Sequence, residues 1–318
     1  MRFFFFLALA THAFGAGIGS YGHLLVADAP DAARNGVRVT YLGANGYQFE
    51  FKGHALLVDP YFSRVDLLSV ALGSRIRPNV FRINNGMRYL APGSDAILVT
   101  HGHFDHLLDV PAVMAKTRAR LIASPSSVGL ARRAGASSGD AVKPGDVRRI
   151  GPWKIRVLPA THDRLFGKVP FAKTGSHTGE PERAADWIGG EPLAFLIEAN
   201  GQRIYIDSGG TSLRPPPNEH VDLAILGVAL PDSRVRLHAA LAHLQPRYVL
   251  PSHQDDFFRP LSAGFKFGPL TDFPRVQRES AQQNGSRLIL LDYFRPWTLP
   301  KAKNARSEKR TPKFGATN

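Results

Sequence analysis

The sequence predicts a layered α/β protein, and three observations carry that reading. Between about Val37 and Leu299, short runs rich in β-branched and aromatic residues alternate with stretches whose apolar residues fall three or four apart. Of the 318 residues, 43% are hydrophobic, enough to bury one large core or two modest ones, which excludes a disordered or fibrous chain. There is no repeat of roughly 20 to 50 residues, and no linker divides the chain into independent cores.

The expected strands cover residues 37–42, 47–51, 55–58, 96–100, 120–123, 154–158, 193–197, 203–206, 223–226, 247–250 and 288–292. Lys52-Gly53 and Asn200-Gly201 separate paired runs, where glycine supplies the positive φ that a tight hairpin needs. Helices are expected over 107–117, 126–133, 233–244 and 274–283, and several stop at a proline or at a glycine such as Gly135.

The two ends read differently from this body. Met1-Arg2, the apolar run from Phe3 to Ala10 and the small residues that follow have the order of an export signal over residues 1–19. The run is far shorter than the ~20 residues of a spanning helix. The rest of the chain is then expected outside the cytoplasm, as a periplasmic or secreted protein; an over-extended start on a cytoplasmic protein is the alternative. Residues 300–318 hold six Lys and Arg against Glu308 and read as a basic, disordered tail. The folded body would occupy 35–299. The formal charge is +14, but it is too dispersed to specify nucleic acid.

With no cysteine, the chain has no disulfide, no thiolate ligand and no cysteine nucleophile. Any metal must rest on His, Asp and Glu. The apolar run Ile97-Leu98-Val99 leads into Thr100-His101-Gly102-His103-Phe104-Asp105-His106, four potential ligands within six residues. Imidazole and carboxylate suit zinc and its first-row neighbours, and a strand-to-helix turn can aim them at one point. His162, Asp207 and His253 each follow a further expected strand. In layered α/β proteins the carboxyl ends of strands open onto one rim, so these scattered residues can converge there.

These residues resemble the five motifs of the metallo-β-lactamase superfamily, in order: Asp59 in Leu57-Val58-Asp59-Pro60, His101 to His106, His162, Asp207 and His253. The resemblance implies a four-layer αββα sandwich with a two-zinc site at one edge. It assigns His101, His103 and His162 to one zinc, and Asp105, His106 and His253 to the other. Asp207 would bridge the two, and Asp59 would orient the metal turn from behind. A hydroxide shared by the zinc ions would be the nucleophile, with Asp105 as base or orienter, in a binuclear zinc-dependent hydrolase.

Within that family, the lack of cysteine excludes the thiolate-bearing β-lactamases. His103 stands where electron-transfer members carry Glu, and the stretch between Asp207 and His253 is too short for the extra domain of cleavage-factor nucleases. The openings Val39-Thr40-Tyr41-Leu42-Gly43 and Ala55 to Pro60 resemble the branch holding ascorbate-6-phosphate lactonase and N-acyl phosphatidylethanolamine phospholipase D. A phosphodiester or lactone, small or lipid-like, is the expected substrate. Lys168, Lys173 and His177, on the glycine-containing loop after His162, are candidates to hold its anionic group. Two other readings stay open: a nucleic-acid-processing enzyme and a non-catalytic, metal-stabilised binding protein.

Overall fold

The structure, a computed structural model, describes residues 17–29, 35–165, 167–172, 179–208, 220–230, 233–282 and 285–301. Alternation builds its centre. In β1 (Arg38–Gly43), β2 (Gly46–Phe51) and β3 (His54–Val58), the side chains of Val39, Tyr41, Tyr47, Phe49, Leu56 and Val58 share one face. That face meets Ile155 and Val157 of β8 (Trp153–Pro159), Phe195 and Ile197 of β9 (Leu193–Ala199) and Ile204 and Ile206 of β10 (Gln202–Ile206). The central core is therefore sheet against sheet.

The first sheet is completed by β4 (Ala96–Leu98), β5 (Arg120–Ala123), β6 (Asp140–Ala141) and β14 (Trp297–Thr298), in the order β14-β1-β2-β3-β4-β5-β6. The second adds β7 (Val147–Ile150), β11 (Leu223–Gly227), β12 (Tyr248–Ser252) and β13 (Arg287–Leu288), in the order β13-β12-β11-β10-β9-β8-β7. Each sheet is antiparallel on one side and parallel on the other, where crossovers carry helices. The helices α4 (Val110–Thr117) and α5 (Pro125–Arg133) cover the outer face of the first sheet, with Val113, Met114, Val128 and Leu130 against Leu57, Ile97 and Leu121. Leu237 and Leu241 of α6 (Ser233–Leu244) and Phe273 and Val276 of α7 (Phe273–Ala281) cover the second. This is the expected αββα sandwich. Both expected hairpin turns form, with positive φ at Lys52, Gly53, Asn200 and Gly201.

Some elements depart from expectation. The helix expected over 107–117 is divided into α3 (Phe104–Leu107) and α4, because Asp109 turns inward. Its carboxylate accepts the backbone N–H groups of Phe62 (2.6 Å) and Ser63 (2.7 Å) and the Ser63 hydroxyl. Burial outweighs these donors and pushes Asp109 up to about 6. Two short helices not foreseen, α1 (Leu67–Ala71) and α2 (Val80–Met87), fill the crossover between β3 and β4. The strand expected over 288–292 pairs with β12 only at Arg287 and Leu288. A 3-10 helix, Ile18–Leu24, begins inside the expected leader, and Tyr21 packs edge-on against Phe267 and Phe273. Residues 1–16 and 302–318 lie outside the described residues.

Candidate metal centre

The turn after β4 is fixed by groups other than its candidate ligands. Asp59, just past the end of β3, accepts the Thr100 backbone N–H on Oδ1 (2.8 Å) and the Thr100 hydroxyl on Oδ2 (2.5 Å), which fixes where the chain leaves the sheet. Gly102 follows because nothing larger fits: a Cβ there would stand 2.2 Å from the carbonyl oxygen of Ile188. Its N–H donates to the Gly189 carbonyl at 3.0 Å. His103 then caps α3, so that Asp105 and His106 emerge from the first helical turn.

Two triads result, buried except for the half-buried His162. In the first, donor atoms of His101, His103 and His162 lie within 4.8 Å of one another. His101 Nε2 and His103 Nδ1 face each other at 2.9 Å, and the ring of His162 stands 4.8 and 4.7 Å from theirs, centre to centre. Burial, reinforced by the neighbouring imidazoles, keeps all three neutral: it holds His101 well below its ordinary value and His103 at about 3, and it also lowers His162. The residues thus offer lone pairs rather than N–H cations.

In the second triad, donor atoms of Asp105, His106 and His253 meet the same limit. His253 Nε2 and His106 Nε2 lie 2.9 and 3.4 Å from Asp105 Oδ2. His106 donates Nδ1–H to Asp59 Oδ2 at 2.8 Å, which directs Nε2 toward the triad. Asn45 Nδ2 donates to the same oxygen at 2.8 Å. Burial opposes charge on His106, yet Asp105 and Asp59 outweigh it and push the ring up to about 10. Asp105 is held well below the usual carboxylate range, since His106 and His253 overcome its burial. The rings of His101 and His106 lie 4.0 Å apart, so the triads share a wall.

His253 reaches the site from β12 with φ +56°, its N–H donating to the Ala44 carbonyl at 2.9 Å. Behind it, Asp255 accepts Ala44 N–H and the Tyr41 hydroxyl, both at 2.9 Å, and Arg64 Nη1 at 2.8 Å. Asp207, at the end of β10, belongs to neither triad. Its Oδ1 accepts Gly227 N–H (3.1 Å), and its Oδ2 takes the Tyr205 hydroxyl (3.3 Å) and Arg236 Nη1 (3.4 Å).

Arg236 escaped the sequence reading. From α6 it clasps Asp163, the residue after His162, with Nε at 3.1 Å and Nη2 at 3.0 Å, and Nη2 also donates to the Gly227 carbonyl at 2.6 Å. One guanidinium thereby ties the His162 loop to Asp207. No motif announces such a residue; an arginine within an otherwise apolar helix face was the available signal. Of the expected substrate residues, Lys168 is exposed on the loop after His162, while Lys173 and His177 lie outside the described residues.

The donors suit a first-row cation. The facing nitrogens of His101 and His103 leave no second N–H between them, and His253 Nδ1 and His103 Nε2 are buried with no hydrogen-bond partner. Sandwich and centre together define a metal-dependent hydrolase of the metallo-β-lactamase fold. The chain belongs to the beta-lactamase superfamily, whose domain matches residues 54–253, the span from β3 to His253. It is similar to a "UPF0173 metal-dependent hydrolase" of Pelotomaculum thermopropionicum, 26% identical over 68% of this chain and 84% of the relative. Another of that description, from Rubrobacter xylanophilus, is 26% identical over 77% and 90%. Among solved structures, Igni18, a metallo hydrolase of the archaeon Ignicoccus hospitalis, superposes with a TM-score of 0.56 at 18% identity, covering 84% of this chain and 99% of its own. No helix among the described residues is long and apolar enough to cross a membrane.

Proposed function

We propose that the chain is a binuclear zinc hydrolase acting on a phosphodiester or lactone, and that residues 1–19 export it from the cytoplasm. The observation that carries this reading is the pair of triads, all of whose members but His162 are buried, meeting at the His101–His106 wall. Two zinc ions held there would supply a shared hydroxide at neutral pH, the pKa of water falling from 15.7 toward about 7, and would polarise the scissile acyl or phosphoryl group.

The chain's own residues do the remainder. His101, His103 and His162 hold one cation as neutral donors. Asp105, His106 and His253 would hold the second, with Asp59 keeping His106 aimed; Asp207, which the resemblance makes the bridge, stands at the end of β10 bonded to Gly227, Tyr205 and Arg236. Asp105 has a second task, to take the proton of the attacking water, because its carboxylate is kept ionised and faces the triad. Lys168, Lys173 and His177 draw the substrate's anionic group to the rim. The phosphodiester or lactone preference rests on the resemblance of Val39 to Gly43 and Ala55 to Pro60 to the lactonase and phospholipase D branch.

The test is metal content by mass spectrometry, joined to turnover on phosphodiester, lactone, thioester and β-lactam panels. About two zinc per chain with turnover of a phosphodiester or lactone is expected. Full loading with no turnover on any panel would overturn the hydrolytic reading. Sequencing the N-terminus of exported protein checks the leader.

A further inference from the structure

The crossover between β3 and β4 carries a feature that the metal centre does not use. Six of the seven large hydrophobic side chains exposed among the described residues fall between positions 67 and 89: Leu67, Leu68, Leu72, Val80, Phe81 and Tyr89. Phe81 is 74% exposed, Leu72 69% and Leu68 66%. A soluble surface scatters such residues singly, and a concentration of them marks something that covers it.

The surrounding charge says what. Exposed Arg75, Arg77 and Arg88 and half-buried Arg82 lie in the same segment. Its acid, Asp66, is engaged in capping α1 through Ser69. A second copy of the chain docking here would set these arginines against one another with no free carboxylate to meet them. The apolar residues, moreover, do not form a single stripe: Leu67 and Leu68 are consecutive, as are Val80 and Phe81, so each pair splays to both sides of its short helix. That shape suits a soft apolar medium better than a groove on a folded partner. Exposed apolar residues interspersed with cations along one segment are the composition of an element that seats at the boundary between acyl chains and anionic headgroups.

We propose that the α1–α2 corner is a docking surface for an anionic lipid bilayer, with Leu68, Leu72 and Phe81 entering the acyl boundary and Arg77 and Arg88 resting on headgroup phosphates. The corner is joined to the centre at both ends. Phe62 and Ser63, which lead into it, hang on Asp109 beyond α3. Arg75 pairs with Glu182 at 3.1 Å, and Ile76 N–H donates to the Glu182 carbonyl at 2.6 Å, on the segment that continues to Gly189 beside His103. Docking would therefore act on a segment bonded at both ends to the elements that carry the metal centre, whatever its substrate.

The experiment uses the full chain loaded with metal and vesicles of phosphatidylcholine, alone or mixed with phosphatidylglycerol. The wild type should cosediment with the anionic vesicles. Each of Leu68→Ser, Leu72→Ser and Phe81→Ser should weaken binding roughly tenfold. Arg77→Gln and Arg88→Gln should each weaken it roughly fivefold, on anionic vesicles only. Because residues 1–16 and 302–318 stay in place in every variant, their own attraction to lipid cancels. A Phe81→Trp reporter, added to three buried tryptophans, should shift to the blue on anionic vesicles. The proposal is overturned if the triple serine variant binds as the wild type does, if the reporter does not shift, or if light scattering shows a dimer that the triple variant abolishes.

Discussion

The two triads share a wall but solve opposite electrostatic problems. His101, His103 and His162 are three imidazoles kept neutral by burial, with no carboxylate among them. Asp105, His106 and His253 contain a carboxylate and are backed by Asp59, so the metal-free chain balances them with a proton on His106. The first set is thus ready for a cation as it stands. The second must release a proton when a cation enters, so its loading should be the more pH-dependent of the two.

Stripping the metal exposes this contrast and has the largest expected effect. Dialysis against a chelator should abolish turnover and lower the melting temperature, with a loss of about 4 kcal/mol if the cation stood at a thousand times its Kd, and zinc should restore both. Replacing one member separates the triads. Asp105→Ala should lower kcat by about 10²- to 10⁴-fold while the three-histidine set keeps its metal, read as rate against metal content. Arg236→Ala leaves buried Asp163 and Asp207 without their cation and should cost about 3 to 5 kcal/mol in urea unfolding. Asp59→Asn, which keeps the shape but weakens the acceptor behind His106, should cost roughly 10- to 100-fold in activity or metal affinity.

The smallest effect concerns pH. In the metal-free chain, an unfolded histidine takes up a proton below about 6.5, whereas His101, His103 and His162 resist it when folded. Their contribution to stability is therefore lost as pH falls below about 6.5. His106, raised to about 10, behaves in reverse: its contribution is present below 6.5 and is lost as pH rises through 10. Urea titrations of the chelated chain should show stability falling on both sides, and His106→Gln should remove the alkaline limb alone.

The sandwich and the metal turn were legible because each is written locally. Period-two alternation marks β1 to β3, and the turn from His101 to His106 is contiguous. Arg236 was not legible, since its partners Asp163 and Asp207 lie 73 and 29 positions away and only tertiary packing joins them. The break at Asp109 was hidden for a similar reason: its partners Phe62 and Ser63 are 47 and 46 positions distant. The helices α1 and α2 escaped because they are short and much of their apolar surface faces outward, which defeats a search for a buried stripe.

Among the described residues, the last strand lies beside the first. Trp297 and Thr298 pair with Val39 and Arg38, and Leu299 N–H donates to the Val37 carbonyl at 2.8 Å. A ribosome delivering this polypeptide leaves one border of the first sheet unmatched until Trp297 and Thr298 have been read. A message truncated just short of Trp297 would carry every residue of both triads and yet release a product with a bare, adhesive margin.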